Sequence, residues 1–127
     1  MSPVALSSLE VDVDGLRSAK GMLQICLTSD TGDFPDCRNG DTAIKRTVSA
    51  SAPRVRFEGL PQGDYAVAVI HDANGNARLD TMMGIPREGF GFSRNPTIGF
   101  GPPRFTAARF TVGAQGQVQK IRMRYLL

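Results

Sequence analysis

A ten-residue stretch, HDANGNARLD at residues 71–80, repeats short oxygen-bearing side chains at alternating positions. The side chains with this spacing are Asp72, Asn74, Asn76 and Asp80. Ca²⁺ prefers six to eight oxygen ligands from carboxylates, amide groups, main-chain carbonyls and water. The main-chain carbonyl of Arg78 fills the one gap in the series. The spacing therefore predicts a calcium-binding loop, and the alternative is an Asn/Gly-rich hairpin turn that holds no metal.

The residues around this loop indicate which kind of calcium site it would be. An EF-hand places a bidentate Glu at the last position of its loop, where this chain has Met83. The pattern is closer to the shorter D-x-D-x-D-G-x-x-D loops of β proteins, with Ala77 at the position of the glycine. Glu88 is predicted to add a third carboxylate and to connect the following segment to the ion. At millimolar calcium and a Kd of about 10⁻⁴ M, such a structural ion adds about 1–2 kcal/mol to stability.

His71 is the only histidine of the chain, and its position allows two interpretations. In the first, it ends a strand, forms local hydrogen bonds and orients the loop. In the second, His71, Asp72 and Glu88 form the acid–base set of an enzyme whose active site lies under the next segment. A single histidine cannot build a multi-histidine zinc site, and the chain has no G-x-S-x-G nucleophile motif. We therefore expect a non-enzymatic protein without catalytic residues.

The elements that position these groups are predicted to be strands, because apolar residues alternate with polar ones through most of the chain. The predicted strands lie within residues 8–16, 21–29, 43–51, 54–60, 63–72, 108–113 and 117–126. The strand at 63–72 is apolar on both faces, which predicts a central strand covered on both sides. About seven strands separated by Gly- and Pro-rich turns predict an all-β fold, a single antiparallel β-sandwich domain over residues 1–127.

A long loop rich in Gly, Pro and Phe is predicted at residues 81–105. Loops of this length in a small domain are usually functional. Its aromatic residues are Phe90, Phe92, Phe100 and Phe105. These rings are expected to fix the loop onto the sandwich as a lid or second small core, and the alternative is that some are exposed and contact a partner.

The charge pattern does not indicate a nucleic-acid-binding protein. The net charge is only +3, which is too small to indicate nucleic acid without a patterned basic patch. The candidate patch consists of Lys120, Arg122 and Arg124 on one face of the last strand, with Arg54 and Arg56 on another strand. These residues suggest a polyanion-binding scaffold as a further alternative. However, Glu10, Asp12 and Asp14 form an acidic row on the first strand, and the rows would neutralise each other if the first and last strands are neighbours.

Two cysteines, Cys26 and Cys37, bear on the cellular location. In an exported protein they are expected to form a disulfide that closes a loop of about a dozen residues and contributes roughly 3 kcal/mol. No apolar run has the length of a membrane helix, so no transmembrane segment is predicted. The beginning of the chain, MSPVALSSLE, does not have the pattern of a signal peptide, and a signal peptide already removed is expected.

Residues 57–95 resemble the motif of the bacterial family known as domain of unknown function 2141. The turn that opens this motif is matched by Leu60, Pro61, Gly63, Tyr65 and Ala66. The loop that follows is matched by His71, Asp72, Asn74, Asn76, Leu79, Asp80 and Thr81. Its last part is matched by Gly84, Pro86, Glu88, Gly89, Phe90, Gly91, Phe92 and Ser93. The resemblance implies a small, usually exported β-sandwich of prealbumin- or immunoglobulin-like type, and it implies no activity.

These observations predict a periplasmic or secreted β-sandwich module with a structural calcium site at the end of its central strand. The ion and Glu88 are expected to order the 81–105 loop, through which the module would bind a protein or cell-envelope partner. The ligand and the biological process do not follow from the sequence.

Overall fold

The computed structural model describes residues 6–35, 37–38, 43–73, 81–82, 85–86, 88–97 and 103–125. For residues 81–86, only the backbone of the two short strands is described. The strands are Leu6–Asp14 (β1), Met22–Thr28 (β2), Ala43–Ser49 (β3), Arg54–Pro61 (β4), Gly63–Asp72 (β5), Thr81–Met82 (β6), Ile85–Pro86 (β7), Gly89–Phe92 (β8), Phe110–Val112 (β9) and Gln117–Arg122 (β10). A 3₁₀ turn, Thr31–Asp33, and one helical turn, Phe105–Ala108 (α1), complete the described elements.

Two sheets form a sandwich, which confirms the predicted fold class. The smaller sheet has the order β10-β1-β4, and the larger has the order β3-β2-β5-β8, with β9 also paired to β5. The strands β6 and β7 form a separate two-stranded pair. Most pairs are antiparallel as predicted, but β1 and β10 are parallel. The parallel pair brings the first and last long strands side by side, with Asp12 opposite Lys120 and Asp14 opposite Arg122.

The main core lies between the two sheets and contains alternate residues of both. Leu9 and Val11 of β1 pack there with Leu23 of β2, Phe57 of β4 and Val67 of β5, and all five are at most 1% exposed. Period-two patterning thus places one face of each long strand in the core, as the sequence predicts.

The central strand β5 is buried on both of its faces, which confirms its predicted position. Tyr65 and Val67 face the main core, while Ala66 and Ala68 face a second core on the outside of the larger sheet. The predicted disulfide between Cys26 and Cys37 is present, with its Cα atoms 5.8 Å apart, and it lies in this second core.

The predicted loop at 81–105 is only partly a loop, and here the prediction was wrong. Gly89–Phe92 forms β8, which pairs with β5 over its whole length. Phe90, Phe92 and Phe105 are buried in the second core, so the expectation that the rings fix this segment is confirmed for them. Phe100 lies outside the described residues. Phe34, from the segment between β2 and β3, packs edge-on against Phe92 and Phe105.

Candidate functional site

The predicted site begins where β5 ends, at His71 and Asp72, both 1% exposed. The start of β2 passes close to this end of β5, since Met22 pairs with Asp72. Gly21 has a φ of +75°, and a Cβ there would lie 2.2 Å from the main-chain oxygen of Asp72. Only glycine fits this close approach and this backbone conformation without strain. The backbone before the Asp/Asn-rich loop is therefore held firmly by the neighbouring strand.

Both ring nitrogens of His71 are hydrogen-bonded. The carbonyl oxygen of Lys20 lies 2.7 Å from Nε2, and the hydroxyl of Tyr125 lies 2.8 Å from Nδ1. Because a carbonyl can only accept, Nε2 donates, and in a neutral imidazole Nδ1 then accepts from the tyrosine hydroxyl. The same hydroxyl accepts from the main-chain N–H of Arg17, whose guanidinium lies 4.3 Å from the centre of the Tyr125 ring. His71 therefore connects three separate parts of the chain at the end of β5.

Asp72 and Glu88 are the two predicted metal ligands whose positions are described. Glu88 is 6% exposed, and its Oε2 accepts a hydrogen bond of 3.2 Å from the main-chain N–H of Ala73. This bond brings the Glu88 carboxylate to the residue that directly follows buried Asp72. Glu88 thus lies at the point where the Asp/Asn-rich loop leaves the sheet after Asp72, although the two residues are 16 positions apart in the chain.

The other predicted ligands lie outside the described residues: Asn74, Asn76, Arg78 and Asp80. Within the described part of the chain, no group of three or more His, Cys, Asp and Glu residues is placed to hold a metal. The structure therefore brings together the two ends of the predicted site and leaves its middle outside the described residues.

Immediately after Glu88, strand β8 lies against the last part of the chain. Phe90 and Arg124 exchange two main-chain hydrogen bonds, of 3.0 and 2.8 Å, which joins the larger sheet to the continuation of β10. A Cβ on Gly89 would lie 2.3 Å from the Tyr125 ring, and one on Gly91 would lie 2.7 Å from Ile121. The alternating glycines of GFGF therefore allow this close contact, while the alternating Phe side chains fill the second core.

Two polar side chains after β8, those of Ser93 and Asn95, form further hydrogen bonds with neighbouring segments. The fully buried Ser93 hydroxyl accepts from the N–H of Val67 at 2.9 Å and donates to the carbonyl of Ala108. The Asn95 side chain forms the two kinds of hydrogen bond that a neighbouring strand would form with β10. Its Oδ1 accepts from Arg122 N–H at 2.8 Å, and its Nδ2 donates to the Lys120 carbonyl at 3.0 Å. Asn95 has a φ of +47°, a conformation that asparagine tolerates better than most residues. We call this set of contacts, formed by residues 89–95 with β5, β10 and Arg124, the seam.

The Leu-Pro-x-Gly-x-Tyr turn before the central strand also has a structural role. The Tyr65 hydroxyl donates a 2.6 Å hydrogen bond to the carbonyl of Pro61, which closes the turn between β4 and β5. Gly63 within this turn has a φ of +153°. Burial raises the pKa of Tyr65, because the charged phenolate is disfavoured away from water.

The charged rows lie on the smaller sheet, where the acidic strand β1 lies between two basic ones. Arg54 donates to Asp12 at 2.9 Å, and Glu10 is opposite Arg56 in the register. Asp12 is also opposite Lys120 on the other side. The acidic and basic rows therefore neutralise each other across this sheet, as expected if the first and last strands are neighbours.

Several residues of this region were not predicted as part of it. Tyr125, Ser93 and Asn95 act through contacts with residues distant in sequence, and a single sequence does not reveal such contacts. The period-two alternation of Gly89–Phe92 was a usable signal for a strand, but the high glycine content favoured a loop.

The comparisons with known proteins agree with the motif at residues 57–95. The sequence model of a family described as "Uncharacterized protein conserved in bacteria (DUF2141)" matches residues 11–121, which is most of the chain. No curated protein and no solved structure gives a significant match. The chain therefore belongs to the DUF2141 family of uncharacterized bacterial proteins, as its motif predicts.

Proposed function

We propose that this protein is an exported, non-enzymatic β-sandwich module whose loop at residues 72–80 binds Ca²⁺. The ion orders the segment at 81–105, which presents a surface to a protein or cell-envelope partner. The observation that carries this proposal is that Glu88, a buried carboxylate, bonds to the main chain of Ala73, directly after buried Asp72 at the start of the Asp/Asn-rich loop.

Burial of two carboxylates at one place favours a nearby cation. Removing a carboxylate from water is costly unless hydrogen bonds or opposite charge compensate it, and two like charges close together add repulsion. The hydrogen bond from Ala73 N–H is one such compensation for Glu88. A calcium ion bound by carboxylate, amide and main-chain oxygens of this region would add positive charge where the two acidic residues lie.

The hydrogen bonds of His71 support a structural role for this residue. A general base or acid needs a ring nitrogen within reach of substrate. Both nitrogens of His71 are engaged, and the side chain is 1% exposed. In this proposal His71 positions Asp72, and the protein needs no catalytic residue.

The disulfide between Cys26 and Cys37 supports export, since disulfides persist mainly in oxidising compartments such as the periplasm. Among the described residues, no helix is long and apolar enough to cross a bilayer. The module would therefore act outside the cytoplasm, where calcium reaches millimolar concentrations in many environments.

Thermal unfolding with calcium, with magnesium and with chelator tests the calcium site. Calcium at ten times its Kd should stabilise the native protein by about 1.4 kcal/mol and raise Tm by roughly 5 °C. Magnesium should give a smaller shift, because it requires stricter octahedral geometry. Asp72→Asn and Glu88→Gln should each remove most of the calcium shift.

The matched control is Glu58→Gln, which removes an exposed carboxylate that contacts Arg56 on the smaller sheet. It should leave the calcium shift unchanged. A native protein with the same Tm in calcium and in chelator would overturn the proposal. Equal calcium shifts in the Asp72→Asn variant and the native protein would also remove Asp72 from the site.

A further inference from the structure

The two terminal strands of the larger sheet are β8 and β3, and within the described residues the outer edge of β3 is open. β3 pairs with β2 without interruption from Ala43 to Ser49, with no bulge. In the described part of the chain, β3 pairs with no other strand. A regular edge strand presents a row of main-chain donors and acceptors to which another strand can add.

Two cationic side chains lie at the middle of β3, and no acidic residue lies beside them in β3 or β2. Lys45 and Arg46 are exposed at the middle of β3, and neither β3 nor β2 contains an acidic residue. The Arg46 guanidinium lies 5.5 Å from the centre of the Phe57 ring and donates to the carbonyl of Lys45 at 3.3 Å. An arginine has five N–H donors, so this bond leaves most of them available.

In the smaller sheet, by contrast, the basic residues of β4 have acidic partners. Arg54 of β4 contacts Asp12 at 2.9 Å, and Arg56 contacts Glu58 at 2.7 Å. The pair β1–β4 shows within this protein how an acidic strand fits beside a basic one, because carboxylates lie opposite arginines in the register. The outer edge of β3 has the basic residues of such a pair, but in the part of the chain that the structure describes no acidic strand lies beside it.

We propose that the outer edge of β3 binds an extended acidic segment of a partner protein, which adds to the larger sheet as a further strand. The positions of the β3 side chains specify which residue types the bound segment needs. Ile44 and Val48 pack toward the main core, whereas Lys45 lies on the opposite face of the strand from Arg46. The bound segment therefore has two consecutive acidic residues, opposite Lys45 and Arg46, with apolar residues opposite Ile44 and Val48.

A second copy of this chain is a poor occupant of the edge. When two β3 strands pair in antiparallel registers with large overlap, Lys45 and Arg46 lie opposite, or one position from, the same residues of the other copy. Like charges opposite each other destabilise a strand pair. The same cations that disfavour self-association favour an acidic partner, and this inference is independent of the proposed calcium loop.

A capped, fluorescently labelled peptide with the central sequence Val-Thr-Glu-Glu-Val tests the proposal by fluorescence anisotropy. The intact protein should bind it, and the double variant Lys45→Glu with Arg46→Glu should lose about tenfold or more in affinity. The double variant should instead bind the Val-Thr-Lys-Lys-Val peptide. Thermal unfolding verifies that each variant is folded, which is expected because both side chains are exposed.

Three controls separate strand addition from general attraction to negative charge. A peptide of the same composition in the order Glu-Val-Thr-Val-Glu should bind more weakly, and N-methylation of the main chain on one side of the strand should abolish binding. The variant Arg122→Glu with Arg124→Glu makes the same charge change elsewhere and should retain binding. Three results would overturn the proposal. The intact protein does not bind the peptide, both double variants bind it and polyphosphate displaces it equally from each, or the protein forms a dimer through β3.

Discussion

The two terminal strands of the larger sheet, β8 and β3, differ in how their edges are completed. The edge of β8 is closed, because Phe90 bonds to Arg124 through the main chain and Asn95 bonds to β10 through its side chain. The edge of β3 pairs with nothing beyond β2 within the described residues and carries Lys45 and Arg46. Within the described residues, one edge is occupied by the protein's own chain and the other is protected by charge.

This difference explains where the distinctive residues of the chain lie. Closing an edge against another sheet requires small residues at the contact and hydrogen-bonding groups at its end, which Gly89, Gly91, Ser93 and Asn95 provide. An open edge requires none of these, and β3 is an ordinary alternating strand. The motif residues at 89–93 therefore have a structural explanation in the seam.

The largest effect is expected from Gly89→Ala, which should break the closed edge. A Cβ at this position would lie 2.3 Å from the Tyr125 ring, which is held by its hydrogen bonds with His71 and Arg17. We expect a loss of about 2–4 kcal/mol in the free energy of unfolding, measured by urea denaturation.

Gly113→Ala is the matched control, since nothing lies within 4 Å of a Cβ there. It should change stability by less than about 0.5 kcal/mol. If the two alanine variants are equally stable, the contact between Gly89 and Tyr125 does not constrain the seam.

A smaller loss is expected from Ser93→Ala, which removes two buried hydrogen bonds and adds no bulk. The N–H of Val67 and the carbonyl of Ala108 would each lose a partner, at a cost of about 2–3 kcal/mol. Hydrogen exchange should accelerate at Val67 more than at the residues of β3. Ser51→Ala, at an exposed serine, is the control, and equal stabilities of the two variants would contradict the role assigned to Ser93.

The contrast between the edges also shows what the sequence can predict. The strands β1 to β5 follow from period-two patterning, and the predicted central strand 63–72 coincides with β5. Such patterns depend only on which face of a strand is buried. The disulfide was predicted from the presence of two cysteines in a chain expected to be exported, and Cys26 and Cys37, 11 positions apart, form it in the structure.

The seam could not be predicted in the same way, because it depends on pairings between distant residues. Asn95 contacts Lys120 and Arg122, and Ser93 contacts Val67, 26 positions away. Glycine in Gly89–Phe92 indicated a loop, whereas in the fold it indicates close approach of another strand. At the candidate calcium loop, Glu88 bonds to the main chain directly after Asp72, and the calcium site itself stays a prediction.

The smallest effect concerns the turn between β4 and β5, where Tyr65 supplies a single hydrogen bond to Pro61. Burial raises the pKa of Tyr65 above its ordinary value of 10.0, so the folded protein holds the phenol proton more tightly than the unfolded chain. The unfolded chain therefore binds fewer protons than the folded protein above pH 10, and stability from this group falls as the pH rises. Below pH 10 this contribution is fully present.

Tyr65→Phe should cost about 1 kcal/mol at pH 8, the usual net value of one hydrogen bond. Between pH 8 and pH 11 the native protein should lose more stability than the variant, because only the native protein has a buried phenol to ionise. Urea denaturation at both pH values measures the two differences. A constant difference between the native protein and Tyr65→Phe across this range would mean that Tyr65 does not ionise differently in the folded and unfolded states. The effect should remain smaller than that of Ser93→Ala, because the turn is tied by one hydrogen bond whereas the seam is tied by several.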